Sequence, residues 1–149
     1  MNKNLSEQYV SKIKSISDLK VIIGEYPRKQ TVIMCHGVFD VVHPGHIRHL
    51  QFAKSRGKIL VASLTCDTHI TKGLYRPHVP ENIRAKTLAA FEMVDYVIID
   101  KNKTPMENIK FLKPDFFAKG FEYSNTERNI ATEEEAKVVE GYGGKMIFT

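Results

Sequence analysis

His36-Gly-Val-Phe-Asp40-Val-Val-His43-Pro-Gly45-His46-Ile-Arg-His-Leu50 is the stretch whose reading decides the fold. It follows an apolar, β-branched run at residues 31–35 and leads into a helical rhythm over residues 47–55, so the pattern predicts strand, loop and helix. A loop that feeds a helix N-terminus presents free backbone N–H groups and the positive end of the helix dipole, a natural seat for phosphate. Gly37 and Gly45 let the backbone approach a ligand, Pro44 presets φ for a first helical turn, and His43 and His46 offer hydrogen-bond donors to phosphate oxygens. At an ordinary pKa of about 6.5 these imidazoles serve as neutral or charged donors, and a nearby phosphate favours the charged form. Asp40 either orders the loop by accepting backbone N–H bonds or offers a carboxylate to a magnesium ion.

A chain of 149 residues, 42% hydrophobic and 26% charged, fits a soluble domain with its own core. No window approaches the ~18 apolar residues of a membrane span, and the opening Met1-Asn-Lys-Asn-Leu-Ser-Glu7 lacks the apolar centre of a signal peptide, so no membrane partner and a cytoplasmic location are expected. Cys35 and Cys66 end separate candidate strands without metal-type spacing, which predicts buried free thiols. The net charge of +5, from 22 Lys and Arg against 17 Asp and Glu, suits a polyanionic small molecule. The basic residues are scattered, with no dense run or aromatic-interleaved patch, so no nucleic-acid partner is expected.

Residues 1–30 carry Val10, Ile13, Ile16, Leu19, Ile22 and Ile23 at helical spacing, which predicts a helical extension ahead of a domain spanning residues 31–149. Ser17-Asp18 is its candidate cap, and its expected role is packing or a dimer contact. Residues 58–65 read as a second strand covered on both faces, completing a right-handed βαβ unit. Asp67 falls just past that strand, where ligands bind in open α/β sheets; it holds a ribose hydroxyl, supports a metal ion or caps the next turn. Residues 68–80 form a basic loop with Lys72, Arg76 and His78, either a lid over a triphosphate or a solvated segment. Further along, the pattern predicts a helix from Pro80 to Met93 and a strand at 96–99. A short helix opened by a Thr104-Pro-Met-Glu107 capping box follows, then a strand at 116–118. Thr132 reads as the cap of a helix whose glutamates 133–135 form a solvated face, and residues 143–149 read as a last strand. Strands alternating with helices specify an α/β, Rossmann-like doubly wound parallel sheet of about five strands with helices on both faces.

The His43-Pro-Gly45-His46 signature resembles that of the cytidylyltransferase-like nucleotidyltransferases, and every fixed position of their longer pattern Gly-x-Phe-Asp-x-x-His-x-Gly-His-x-x-x-Leu is met. Residues 76–84, Val94-Asp95, Thr104-Pro105, Lys113-Pro-Asp115 and Lys119-Gly-Phe-Glu-Tyr123 are similar to the adenylyltransferase domain of heptose-phosphate enzymes and, at fewer places, to glycerol-phosphate cytidylyltransferase. The resemblance implies that an acceptor phosphate attacks the α-phosphate of a nucleoside triphosphate and pyrophosphate leaves. It implies that the Val38 and Phe39 amides, in the loop of Gly37, Asp40 and Gly45, contact the triphosphate together with His43 and His46. By position Lys72 matches a phosphate-binding lysine, Arg84 a helix arginine near the phosphates, and Lys119, Gly120, Glu122 and Tyr123 a loop near the nucleoside or acceptor. Glu122 stands where Asp is more usual. Family members continue past a short apolar strand into a Ser/Thr-rich motif at a final helix, and residues 143–149 read as the strand leading to it.

The expected function is therefore transfer of CMP or AMP from CTP or ATP to a small sugar, polyol or related phosphate, by a homodimer. Mg²⁺ is the expected cofactor, carried by the triphosphate rather than by protein ligands. The sequence does not separate CTP from ATP; the expectation leans to CTP. The alternative expectation is a catalytically weak nucleotide-binding or assembly module of a larger sugar-activation enzyme.

Overall fold

Ile59-Leu-Val-Ala-Ser-Leu lacks polar alternation, as befits a strand covered on both sides, and it lies second from the edge of an all-parallel sheet. The computed structural model describes residues 5–71, 73, 75–120 and 130–149. The strands are β1 (Val32–Gly37), β2 (Ile59–Thr65), β3 (Tyr96–Asp100), β4 (Phe116–Lys119) and β5 (Lys145–Phe148). They stand in the order β3-β2-β1-β4-β5. The chain winds outward from β1 to β3, then returns to the other side of β1 for β4 and β5. The β1/β4 boundary is thus the switch point at which open α/β sheets form their crevice.

The helices are α1 (Leu5–Val10), α2 (Ile16–Ile23), α3 (Pro44–Ser55), α4 (Glu81–Ala89), α5 (Met106–Leu112) and α6 (Ile130–Gly141). Alternate strand residues feed two cores. Ile33, Cys35, Leu60, Ala62 and Leu64 pack with Leu50 and Ala53 of α3 and Leu88 of α4. Val32, Met34, Val61 and Ile98 pack with Leu19 and Ile23 of α2, Ile109 of α5 and Val139 of α6. Among the described residues no helix is long and apolar enough to cross a membrane. Both cysteines are buried free thiols, and burial pushes Cys35 up to about 12.

Several boundaries differ from the sequence expectation, each for a local reason. Ser15, not Ser17, caps α2, its Oγ accepting from the Asp18 amide at 3.1 Å. Ahead of that cap, residues 12–14 pair with the free edge of β3, through Lys14 N to Val97 O at 2.9 Å and Val97 N to Lys12 O at 3.0 Å. Helix α3 starts at Pro44, three residues before the apolar rhythm shows. Helix α4 ends at Ala89, and α5 starts after Pro105 with no side-chain cap, so the Thr104–Glu107 box does not form. Helix α6 begins before Thr132, which is fully buried, and Glu135 is only 7% exposed rather than solvated. Lys119 at the end of β4 accounts for both: its Nζ lies 3.2 Å from Thr132 Oγ1 and 2.7 Å from Glu135 Oε2.

The loop after β1 is held from beneath by Arg84 of α4, whose side chain is fully buried. Its Nε donates to Val79 O at 2.9 Å, Nη1 to Val38 O and Thr65 O at 2.7 Å each, and Nη2 to Asp67 Oδ1 at 2.5 Å. One guanidinium therefore joins the β1 loop, the end of β2, the 3-10 turn at Asp67–His69 and the entry to α4. Arg84→Gln strands these acceptors, and by the cost of breaking a buried charged network it should lose ~3–5 kcal/mol, or on the order of 10 °C in Tm. Urea and thermal unfolding measure this, and a change within ±0.5 kcal/mol, as at a surface site, would contradict the strut.

Candidate functional site

At the C-terminal edge of the sheet, a cleft of about 970 Å³ is lined by residues 37–40 of the β1 loop, by His43, Gly45 and His46, and by Gly120 beyond β4. The N-terminus of α3 opens into it. His43 is the N-cap: its Nδ1 accepts from the Gly45 amide at 3.0 Å, while its own amide donates to His46 Nδ1 at 3.2 Å. The two histidines thus build a reciprocal capping box, with rings 4.0 Å apart between centroids. A ring nitrogen that accepts a backbone N–H carries no proton, so each imidazole keeps its hydrogen on Nε2. Burial, followed by the neighbouring His43, also lowers the pKa of His46. In this arrangement each ring keeps one Nε2–H donor. For His46 the charged form anticipated beside a phosphate is opposed by that burial and by the neighbouring ring.

Gly45 is required by this geometry, since a Cβ there would meet His43 Cε1 at 2.7 Å. Phe39 adopts a left-handed φ of 51° and is buried under the loop, with its ring 5.4 Å from that of His46.

Asp40 faces protein partners. Its Oδ2 accepts from the His78 amide and its Oδ1 from the Val79 amide, both at 2.9 Å, and Arg76 Nε lies 2.8 Å from Oδ2. Burial works against its charge, but the two amides and the arginine outweigh burial and hold the carboxyl below the usual range. Its contacts are those of a loop-ordering residue. Asp67 lies at the strand end as the sequence places it, but its carboxylate is bound to Arg84 and to the Glu81 amide, outside the cleft lining. Arg84 lies beneath the loop with its donors engaged, not at the cleft surface. Lys119 is directed to α6 by Glu135. Lys72, Glu122 and Tyr123 lie outside the described residues. Among the described residues no group of three or more His, Cys, Asp and Glu side chains could hold a metal ion.

Sequence reasoning passed over His36, which also lines the cleft. It stands at the end of β1 with Nδ1 2.8 Å from Ser63 Oγ and Nε2 3.2 Å from Thr65 Oγ1. Burial, then the charge of Lys119, pushes its pKa down to about 4. The only signal in the sequence is the i, i+2 spacing of Ser63 and Thr65, which puts both hydroxyls on one face of β2. His49 and Thr149 were missed as well; they meet at 3.1 Å and line the same cleft.

A family model described as cytidylyltransferase-like matches residues 34–142. The chain is 40% identical over 139 residues, 91% of its length, to the bifunctional protein HldE of Pelobacter propionicus, and 38% identical over 151 residues, 97% of its length, to that of Sulfurimonas denitrificans. It spans only 28% and 31% of those relatives. Among solved structures, a lipopolysaccharide core biosynthesis protein from Thermoplasma volcanium superposes with a TM-score of 0.66 at 24% identity, covering 80% of this chain and 94% of that one. Pantoate-beta-alanine ligase from Francisella tularensis gives 0.61 at 16% identity, covering 92% and 66%. At such identities the likeness is one of fold.

Two expectations follow from this geometry. Gly45→Ala should push the His43 ring off its cap, costing about 1 kcal/mol as cap losses do, and histidine nitrogen NMR should show His43 losing its pure Nε2–H tautomer. An unchanged tautomer would contradict the box. For His36, the unfolded chain binds a proton between pH 6.5 and about 4 and the folded chain does not. Stability should therefore fall as pH drops through that window, by at most roughly 3 kcal/mol from this residue. Urea unfolding across pH should show the fall shrinking in His36→Asn.

Proposed function

The chain belongs to the cytidylyltransferase-like family, and from that premise we propose that it transfers a nucleoside monophosphate from CTP or ATP to a small phosphorylated acceptor, a sugar or polyol phosphate, releasing pyrophosphate. The observation that carries this reading is the pair of Nε2–H donors at the N-terminus of α3, fixed by their own capping bonds and lining the cleft. An acceptor phosphate oxygen forms a bond to the α-phosphorus as the bond from that phosphorus to the β-bridging oxygen breaks, and pyrophosphate departs with the electron pair. Such a transfer needs two anions held in line and stabilisation of the charge that develops on the α-phosphate oxygens. The two imidazoles, fixed at the positive end of α3 by its own first-turn amides, supply donors that are in place before substrate arrives.

Mg²⁺ enters this reading as part of the nucleotide substrate. Asp40, the carboxylate nearest the histidines in sequence, is taken up by Arg76 and two backbone amides, and magnesium readily relies on substrate oxygens with few protein ligands. The sugar-phosphate class of acceptor is supported by the motif likeness to heptose-phosphate enzymes. A second reading is favoured by the share of the relatives the chain spans: a nucleotide-binding module that works within a larger bifunctional protein.

Pyrophosphate release, screened with four nucleoside triphosphates and a set of phosphorylated sugars and polyols, decides between the two. His46→Ala should slow release by about two to three orders of magnitude, the effect of deleting one preorganised oxyanion donor. Release unaffected by His46→Ala would overturn the catalytic role, and binding of nucleotide without release for any acceptor would favour the module.

A further inference from the structure

We propose that Arg76 is a phosphate-gripping residue of the cleft, held in place by Asp40 so that its terminal amino groups meet a substrate phosphate opposite His43 and His46. The inference rests on the nucleotidyl-transfer reading for the arrival of phosphates, and it gives that reading a cation that neither the motif nor the comparisons assign.

The helix arginine that the resemblance places near the phosphates spends four of its five N–H donors on Val79, Val38, Thr65 and Asp67, and Arg84 lies outside the cleft lining. Lys119 is matched by Glu135. Among the described residues, the arginines that line the cleft are Arg48 and Arg76. Arg48 is exposed on α3, and no described residue holds it in place.

Arg76 is different. Its Nε is buried and lies 2.8 Å from Asp40 Oδ2, outside hydrogen-bond alignment, so the contact is one of charge. The Asp40 side chain is only 2% exposed, and it also binds the amides of His78 and Val79. A single carboxylate thus pins the arginine and the two residues that follow shortly after it. The Arg76 side chain remains 32% exposed, and its two terminal nitrogens have no partner among the described residues. A guanidinium is planar, and with its Nε edge against a carboxylate its remaining edges stay free to take two oxygens of a phosphate. Because the loop is tied down beforehand, little ordering remains to be done on binding. Asp40 is then a positioning residue: it does not touch the phosphate, and it sets where the cation stands.

The phosphate belongs either to the nucleotide or to the acceptor, and calorimetry with inorganic tripolyphosphate and with inorganic phosphate separates the sources. Arg76→Gln should bind one of these probes about tenfold or more weakly, the usual weight of a charge-assisted bond, while circular dichroism shows it still folded at the titration temperature. Arg76→Lys should recover only part, since an ammonium cannot span Asp40 and a phosphate together. Asp40→Asn should weaken the same probe, and adding Arg76→Gln to it should cause little further loss. Equal affinity of Arg76→Gln and the unaltered protein for both probes overturns the proposal, as does the absence of measurable binding of either probe to the unaltered protein. These titrations need no turnover, so they stand even where no nucleotide and acceptor pair releases pyrophosphate, the outcome that would count against the proposed function.

Discussion

A buried guanidinium is tolerable only when its hydrogen atoms meet acceptors, because an unpaired charge away from water costs several kcal/mol. Arg84 satisfies this with three carbonyls and one carboxylate. The acceptors come from four places along the chain, namely residues 38, 65, 67 and 79. Residue 38 belongs to the phosphate-type loop, 65 to the end of β2, and 79 to the segment that Asp40 also holds. Removing the arginine would release the cleft's floor and one wall together. The site is rigid for the same reason that the domain is stable, and its ligand-facing groups are consequences of a network that faces away from the ligand.

The capping box extends this logic to the surface. A helix that began three residues later, where its apolar rhythm begins, would leave His43 and His46 in a loop with freely turning rings. With α3 starting at Pro44, each ring is fixed by a backbone amide and each Nδ1 is occupied. What remains on each is one Nε2–H. Two aligned dipolar donors at a helix terminus discriminate by position more than by charge, which suits a reaction whose charge appears on particular oxygens.

The parallel sheet and its two-faced core were legible because parallel strands announce themselves as continuous apolar runs, and residues 59–64 and 96–99 do so clearly. The strand–loop–helix unit was legible from Gly37, Pro44 and Gly45. Caps were less so. Ser15 and Ser17 are equally good cap residues by type; the pairing of residues 12–14 with β3 decides for Ser15, and that pairing is non-local. Glu135 read as solvated because its partner Lys119 is 16 residues away and reaches it only once β4 and α6 pack. Arg84 and Asp67 read as ligand-facing because residue type and sequence position do not reveal which way a side chain turns. His36 was silent for a similar reason: its hydroxyl partners lie on the adjacent strand, at Ser63 and Thr65.

The division between neutral and charged groups in the cleft is a physical consequence of burial. His36, enclosed at the end of β1, is kept neutral by desolvation and by Lys119, and His46 is moved the same way by burial and His43. Positive charge survives where it is paired or wet: Lys119 against Glu135, Arg76 against Asp40, and Arg48 in solvent. A polyanion entering such a cleft therefore meets imidazole donors held by the backbone together with the cations of Arg76 and Arg48. A central imidazolium would gain more from the ground-state phosphate, but uniform binding of substrate and transition state does not speed the chemical step. Donors whose direction is set by the backbone are better placed to favour the geometry of the transition state.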